Sequence, residues 1–558
     1  MSFAREPLRE LRRIRSTFGA EAEARKRALL EALAGAQLTT CREIIALHED
    51  LLFLVAFPGA ASTRRAALRL LADFAGRWRR IAGARAAAEK SGIAGTIACP
   101  QVAWPIARLL ARDQDAEVDW IGLEDPAAFD GLVERLVAPS EQDAFGGGEY
   151  TTRRWIELAR PPSLTALQWL TRGGASLAPQ RGFAAAWDAA EVPLCWKLHD
   201  SKRSVTHARL KVRPTWRGGF RRPTVSTTEA VARPLESIRL LGRAEAARVI
   251  DLARSALVAR SREVHAMSYA NPAEVHLADL GEGVTLAVIG VLPEQRLQLE
   301  ANYGYLLLSN GVPIGYGGVS PLYRQANTGI NIFDPFRGSE AAFLWVETLR
   351  AFRTLFGTRR FIVNGYQFGA GNSEAIASGA YWFYWRLGFR PSLPENVALA
   401  AAEAARLKRT PAQRTPAPVL RRLARGDLVL DLADWNPADA FEEPLLLRFG
   451  AAVARRIAEL PVFSHEAGER RLAREAAVAL GSKPDGDAKV DRRGFERLAP
   501  LAALLDLRAW SAAERAALLR WMQAKGAPVE RAFARLGADQ SRFFRELRAV
   551  CRVEERRS

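Results

Sequence analysis

The groups that could do chemistry together in this chain fall between residues 310 and 390. Tyr384 lies in Tyr384-Trp385-Arg386-Leu387-Gly388-Phe389, at the end of an aromatic helical pattern. A phenol placed in a cleft can give or take a proton. Asp334 and Glu340 bracket the turn-like Asp334-Pro335-Phe336-Arg337-Gly338, which leads into a helical pattern from Ser339 to Phe356. The first turn of such a helix offers N–H groups without intrahelical partners, a ready cradle for an anion. Asn372 ends the stretch GYQFGAGN and contributes an amide, and Tyr316 and Tyr366 contribute further hydroxyls. Trp382, Phe383 and Trp385 surround Tyr384 in sequence; such a cluster can line an apolar pocket, although core packing is its commoner use.

The elements that must position these groups follow from periodicity. Two strand-like runs meet at Asn310-Gly311, a dipeptide that favours a two-residue hairpin. A further run ends at Asn331-Ile332-Phe333. The Ser339–Phe356 pattern carries Ala342, Val346, Leu349, Phe352 and Phe356 on one stripe and stops at Gly357, a suitable C-cap. Phe361–Val363 is β-branched and apolar, and the aromatic helix follows it. Upstream, Arg243–Arg260 is amphipathic and Val284–Leu292 reads as a buried strand. Downstream, Asp427–Leu432 alternates like a last strand of the same sheet.

This order of elements resembles the GNAT-type N-acyltransferases. The ending Tyr384-Trp385-Arg386-Leu387-Gly388-Phe389 matches the family's Tyr-x-x-x-Gly-Phe, with Ala380 at its small position. The resemblance spans roughly residues 243–434 and is sharpest over 311–389. It implies a mixed α/β sheet with flanking helices and an acyl-CoA co-substrate. It implies that Tyr384 protonates the leaving thiolate and that Ile332 and Phe333, at the strand end, present backbone donors. It also implies that Arg337, Gly338, Ser339 and Ala342 form the phosphate loop, with Asn372 beside the reacting groups. For the base the sequence offers Asp334 and Glu340 as the nearest carboxylates, or a water chain, while Asp334 also suits a turn cap. Two departures stand out. Glu340 replaces the loop's first glycine, putting a carboxylate where a pyrophosphate would lie, although a carboxylate also suits the first turn of a helix. Asn372 lies eight residues before Ala380, where the family usually has about three.

Three readings stay open. The first is transfer of an acyl group from acyl-CoA to an amine, on a small molecule or a macromolecule. The second keeps the fold but takes its acyl group from an aminoacyl-tRNA or an acyl carrier protein. The third is a non-catalytic binding scaffold, since fold does not dictate function.

Composition sets the frame. At 558 residues the chain exceeds a single core. The expected division is a helical segment at 1–148, a mixed basic region at 149–235, the GNAT-like domain at 236–435 and a helical segment at 436–558. Net charge is +18, which attracts anions or reflects a bias towards arginine on solvated surfaces. Between Lys202 and Arg222 lie eight Lys or Arg and no acidic residue, with Trp216 and Phe220 interleaved. A solvated linker is the expectation there, and contact with RNA the alternative. The four cysteines form no CxxC pair, and no HExxH occurs, so no metal is expected. The loose calcium-loop echo at Asp485, Asp487, Asp491 and Glu496 lacks the required glycine. With no long apolar run and no signal-like N-terminus, a cytoplasmic protein without a membrane span is expected.

Overall fold

The computed structural model describes residues 5–80, 88, 90–177, 180–441, 443–482 and 489–555. Asp485 and Asp487 of the calcium-loop echo lie outside the described residues, and Glu496 pairs with Arg492. No helix is long and apolar enough to cross a membrane.

A small sheet forms from β1 (Ile97–Ala98), β2 (Ala116–Val118) and β3 (Leu194–Lys197), in the order β1-β3-β2. The large sheet comprises β4 (Ile238–Leu240), β5 (Ala270–Gly281), β6 (Val284–Val291), β7 (Tyr303–Ser309), β8 (Val312–Leu322), β9 (Gln325–Thr328), β10 (Asn331–Ile332), β11 (Arg360–Val363), β12 (Arg390–Pro391) and β13 (Leu428–Asp431). Its order is β12-β13-β11-β9-β8-β7-β6-β5-β4, with β10 also on β8. Every pairing is antiparallel except β9 with β11.

The expected hairpin is present. Asn310 and Gly311 have φ of 47° and 79°, the left-handed pair that matches the twist of β7 and β8. The helix between β10 and β11 runs Ala341–Phe356 and ends at Gly357 with φ 76°. It lies on the sheet through ring contacts of Phe352 with Tyr305 and Phe356 with Tyr303. The Asp427–Leu432 pattern becomes β13, antiparallel to β11. Near the N-terminus a helix at Ala61–Ala72 stops at Asp73, and a 3₁₀ segment covers Phe74–Arg80. Phe74 and Trp78 within that segment are both buried.

The helical ends of the chain are bonded to the sheet. From the N-terminal side, Ser309 Oγ and Asn310 Nδ2 donate to the carbonyl of Ala56, closing the Cys41–Ala56 helix onto the β7–β8 turn. From the C-terminal side, buried Glu274 on β5 accepts the N–H groups of Glu530 and Arg531 at 2.8 Å each. Arg296 donates to the carbonyls of Lys525 and Ala527.

The basic 202–222 stretch is not a solvated linker. Leu210 N–H bonds Gly311, Thr215 N–H bonds Asn310 Oδ1, and Arg217 is buried with its N–H on Pro58. Arg203 pairs with Asp251, and Arg221 and Arg222 donate to the carbonyls of Leu280 and Ser339. Three of its eight cations, Arg203, Arg217 and Arg221, pair with carboxylates distant in sequence.

Candidate functional site

The site begins where two parallel strands part. β9 and β11 pair from Arg360 with Gln325 as far as Ile362 with Asn327. Beyond that point the chain from Thr328 stays with β8 as β10, while β11 turns into a 3₁₀ segment at Gly365–Phe368. The wedge so formed has Gly329, Ile330, Asn331 and Ile332 on one wall. Gly317 on β8 must lack a side chain, because a Cβ there would lie 2.4 Å from the Gly329 carbonyl. Gln367 fills part of the wedge; its side chain lies 2.7 Å from where a Cβ on Gly329 would stand.

Tyr384 occupies the apex. It is buried, on the short Ala380–Arg386 helix, among the rings of Trp345, Phe368, Phe383 and Phe389. The Ile330 N–H faces its hydroxyl oxygen, and burial raises its pKa well above that of a free phenol. It is therefore held protonated at neutral pH.

The wedge opens into a cleft of about 1190 Å³. Arg262, Arg337, Arg386 and Arg414 line it with two carboxylates, Glu263 and Glu374, so its lining is net positive. The Ala341–Phe356 helix starts at its edge, where Gly338 and Ala341 are lining residues. No side chain caps that start, and the first intrahelical bond is from Leu344 to Glu340, so the N–H groups of Ala341, Ala342 and Phe343 have no helical partner. Gly338 has φ 84° with open space around it, which lets the chain turn into the helix without covering those groups.

The residues expected from sequence divide clearly. Tyr384, Ile332, Arg337, Gly338 and Asn372 all border the cleft. Ile332 sits opposite Gly315 in a non-bonded pair of the β8–β10 ladder, so its N–H points away from β8. Phe333 does not supply a free donor: its N–H is spent on the Ile314 carbonyl, and its ring packs under Arg260 and beside Tyr316. Asn372 is occupied as an N-cap, accepting from Ala375 N–H and donating to the Tyr366 carbonyl. Asp334 is mostly exposed, pairs with Arg337 at 2.9 Å and borders a different cavity. Arg337 also holds Glu374 at 2.6 Å. Ser339 is buried with its hydroxyl on the Phe336 carbonyl, and Ala342 lies one residue beyond the cleft lining.

Glu340 is turned away from the helix start. It is fully buried, with Arg217 Nη2 at 2.5 Å, Arg221 N–H at 3.1 Å and Arg221 Nη2 at 3.3 Å. The carboxylate that would have faced a pyrophosphate is neutralised by the basic segment instead.

Two groups at the site went unread in the sequence. Glu263 lines the cleft, accepts the Ala103 N–H at 3.1 Å and the Ser268 hydroxyl, and is pushed up in pKa by burial. Gln367 lies within GYQFGAGN but carries no local mark of its role. Tyr316 receives Arg262 Nη1 at 3.0 Å. Among the described residues no group of His, Cys, Asp or Glu is arranged to hold a metal ion. No family model, curated protein or solved structure matches this chain.

Proposed function

We propose that the chain is an N-acyltransferase that moves an acyl group from an acyl-CoA thioester to an amine acceptor. The observation that carries this reading is the parted strand pair, with the Tyr384 hydroxyl at its apex and an uncapped helix start at its mouth. An extended thioester arm fits between β10 and β11, with its phosphates towards the N–H groups of Ala341–Phe343. The Ile332 N–H then polarises the thioester carbonyl. The amine attacks that carbonyl, the C–N bond forms and the C–S bond breaks. Glu263, the cleft carboxylate with raised pKa, receives the proton of the amine, and Tyr384 gives its proton to the departing thiolate.

A second reading keeps these roles but takes the acyl group from an aminoacyl-tRNA or a carrier protein. The arginines on the cleft wall and its volume favour it. The test is thermal stability with acetyl-CoA, a long-chain acyl-CoA and free coenzyme A. Ligand at about 100 times its Kd adds roughly 2.7 kcal/mol of stability. A rise with coenzyme A supports the first reading, and the preferred chain identifies the donor. No rise with any of them refutes it and leaves the second, checked by salt-sensitive retention of charged tRNA.

A further inference from the structure

Behind the Ile332–Pro335 segment lies a second cavity of about 290 Å³, closed on the other side by the Cys41–Ala56 helix. Lys90, Arg260 and Arg262 line it. Two carboxylates also reach it, but both are already bridged: Glu49 to Arg12 at 2.8 Å and Asp334 to Arg337 at 2.9 Å. His48, a further lining group, is fully buried and bonded to the Thr206 hydroxyl at 2.9 Å; burial holds its pKa down at about 3, so it adds no charge. Among the described lining residues positive charge is thus in excess.

Arg260 is the telling member. Its guanidinium lies 3.9 Å above the Phe333 ring, and Nη1 donates to the Ala256 carbonyl at 2.7 Å. Among the described residues no carboxylate comes within ion-pair distance of it. Arg260 is half-buried; a guanidinium has five N–H donors, and partial removal from water without an anion leaves it poorly compensated. Burial and the neighbouring Arg262 pull its pKa down to about 9, which leaves it charged at neutral pH but poorly compensated. Stacking on Phe333 fixes its plane and leaves its edge to meet an oxyanion.

We propose that this cavity binds a compact oxyanion, a phosphate or carboxylate group, through Arg260, with Lys90 and Arg262 completing the charge. A volume near 300 Å³ suits a small group with few carbons rather than a nucleotide. Ile332 and Arg262 border both this cavity and the cleft. On the reading of the cleft as an acyl-transfer site, the anion would therefore be the far end of the amine acceptor.

The experiment is isothermal titration of the full chain with inorganic phosphate, and separately with acetate, at fixed ionic strength in chloride and without any acyl donor. Wild type should bind one of them saturably. Arg260→Gln should weaken it by about tenfold or more, as losing one charge-assisted bond does. Arg260→Lys should recover part of that loss, and the exposed Lys90→Glu, which leaves the core untouched, should also weaken binding. Whichever anion binds names the chemistry. No saturable binding of either anion, or Arg260→Gln and Lys90→Glu binding as wild type does, overturns the proposal. Binding abolished by saturating coenzyme A but indifferent to Arg260→Gln places the anion at the start of the Ala341–Phe356 helix and also overturns it. Coenzyme A binding by Arg260→Gln, measured by thermal shift, reports on the donor site separately, so the two readings fail independently.

Discussion

Replacing Glu340 tests both the packing of the basic segment and the electrostatics of the helix start. Glu340 and Arg217 have side chains with no exposed surface. The carboxylate receives Arg217 Nη2, the Arg221 backbone N–H and Arg221 Nη2. Glu340→Gln keeps the shape and removes the charge, leaving a buried guanidinium. Breaking a buried pair from one side costs about 3–5 kcal/mol. Arg217 keeps one substitute, Glu282 at 3.2 Å, whose side chain is half exposed. The loss should therefore fall near the lower limit, about 3 kcal/mol. The assay is a double-mutant cycle in urea with Glu340→Gln, Arg217→Met and the pair, which isolates their coupling. A coupling of about 2 kcal/mol or more is expected, since neither charge has solvent to fall back on. A coupling below about 0.5 kcal/mol would mean that the two groups act independently, refuting the buried pair. The same variant decides the second question. With its charge already matched, Glu340 should not oppose an anion at Ala341–Phe343, so Glu340→Gln should change coenzyme A affinity by less than about threefold. A gain of tenfold or more would show that the carboxylate does repel the cofactor.

Tyr384→Phe should leave folding and donor affinity nearly unchanged and slow turnover by about 10²-fold or more, the usual worth of a placed general acid; unchanged turnover removes it from that role. Glu263→Gln should abolish the acidic limb of the pH–rate profile, because the raised pKa belongs to the free carboxylate; a limb that persists assigns the base elsewhere. Asn372→Ala should cost about 1 kcal/mol as a lost N-cap, and turnover should follow stability alone; a larger drop in kcat at full folding would make the amide a participant in the reaction. His48 is held neutral by burial, with a folded pKa of about 3 against 6.5 unfolded. Its contribution is present above pH 6.5 and is lost as pH falls towards 3, at about 1.4 kcal/mol per unit. Stability of wild type relative to His48→Gln should therefore decline with that slope on acidification, and parallel curves would refute it.

What was legible in the sequence is what is decided locally. Asn310-Gly311 set a hairpin because both residues accept positive φ, and Gly357 stopped a helix for the same reason. Tyr384 and the loop at Arg337-Gly338 border one cleft, since they sit at fixed offsets from elements with strong periodicity. Errors arose where an atom's role depends on distant partners. Phe333 looked like a donor until β8 took its N–H, and Asn372 looked catalytic although its amide caps the very next helix.

Charge was the least readable property. From Lys202 to Arg222 the chain looks like a solvated, anion-seeking ribbon, yet Arg217 and Arg221 close on Glu340 more than a hundred residues away. Conversely, Arg260 ends an ordinary amphipathic pattern, and only the fold sets it against Phe333 with no ion-paired carboxylate among the described residues. Net charge therefore says little about where an anion binds. The useful quantity is charge left over after internal pairing, because a cation partly withdrawn from water without a counter-charge costs stability that a bound anion returns. By that measure positive charge is left over on both sides of the Ile332–Pro335 segment, on the cleft walls and around Arg260.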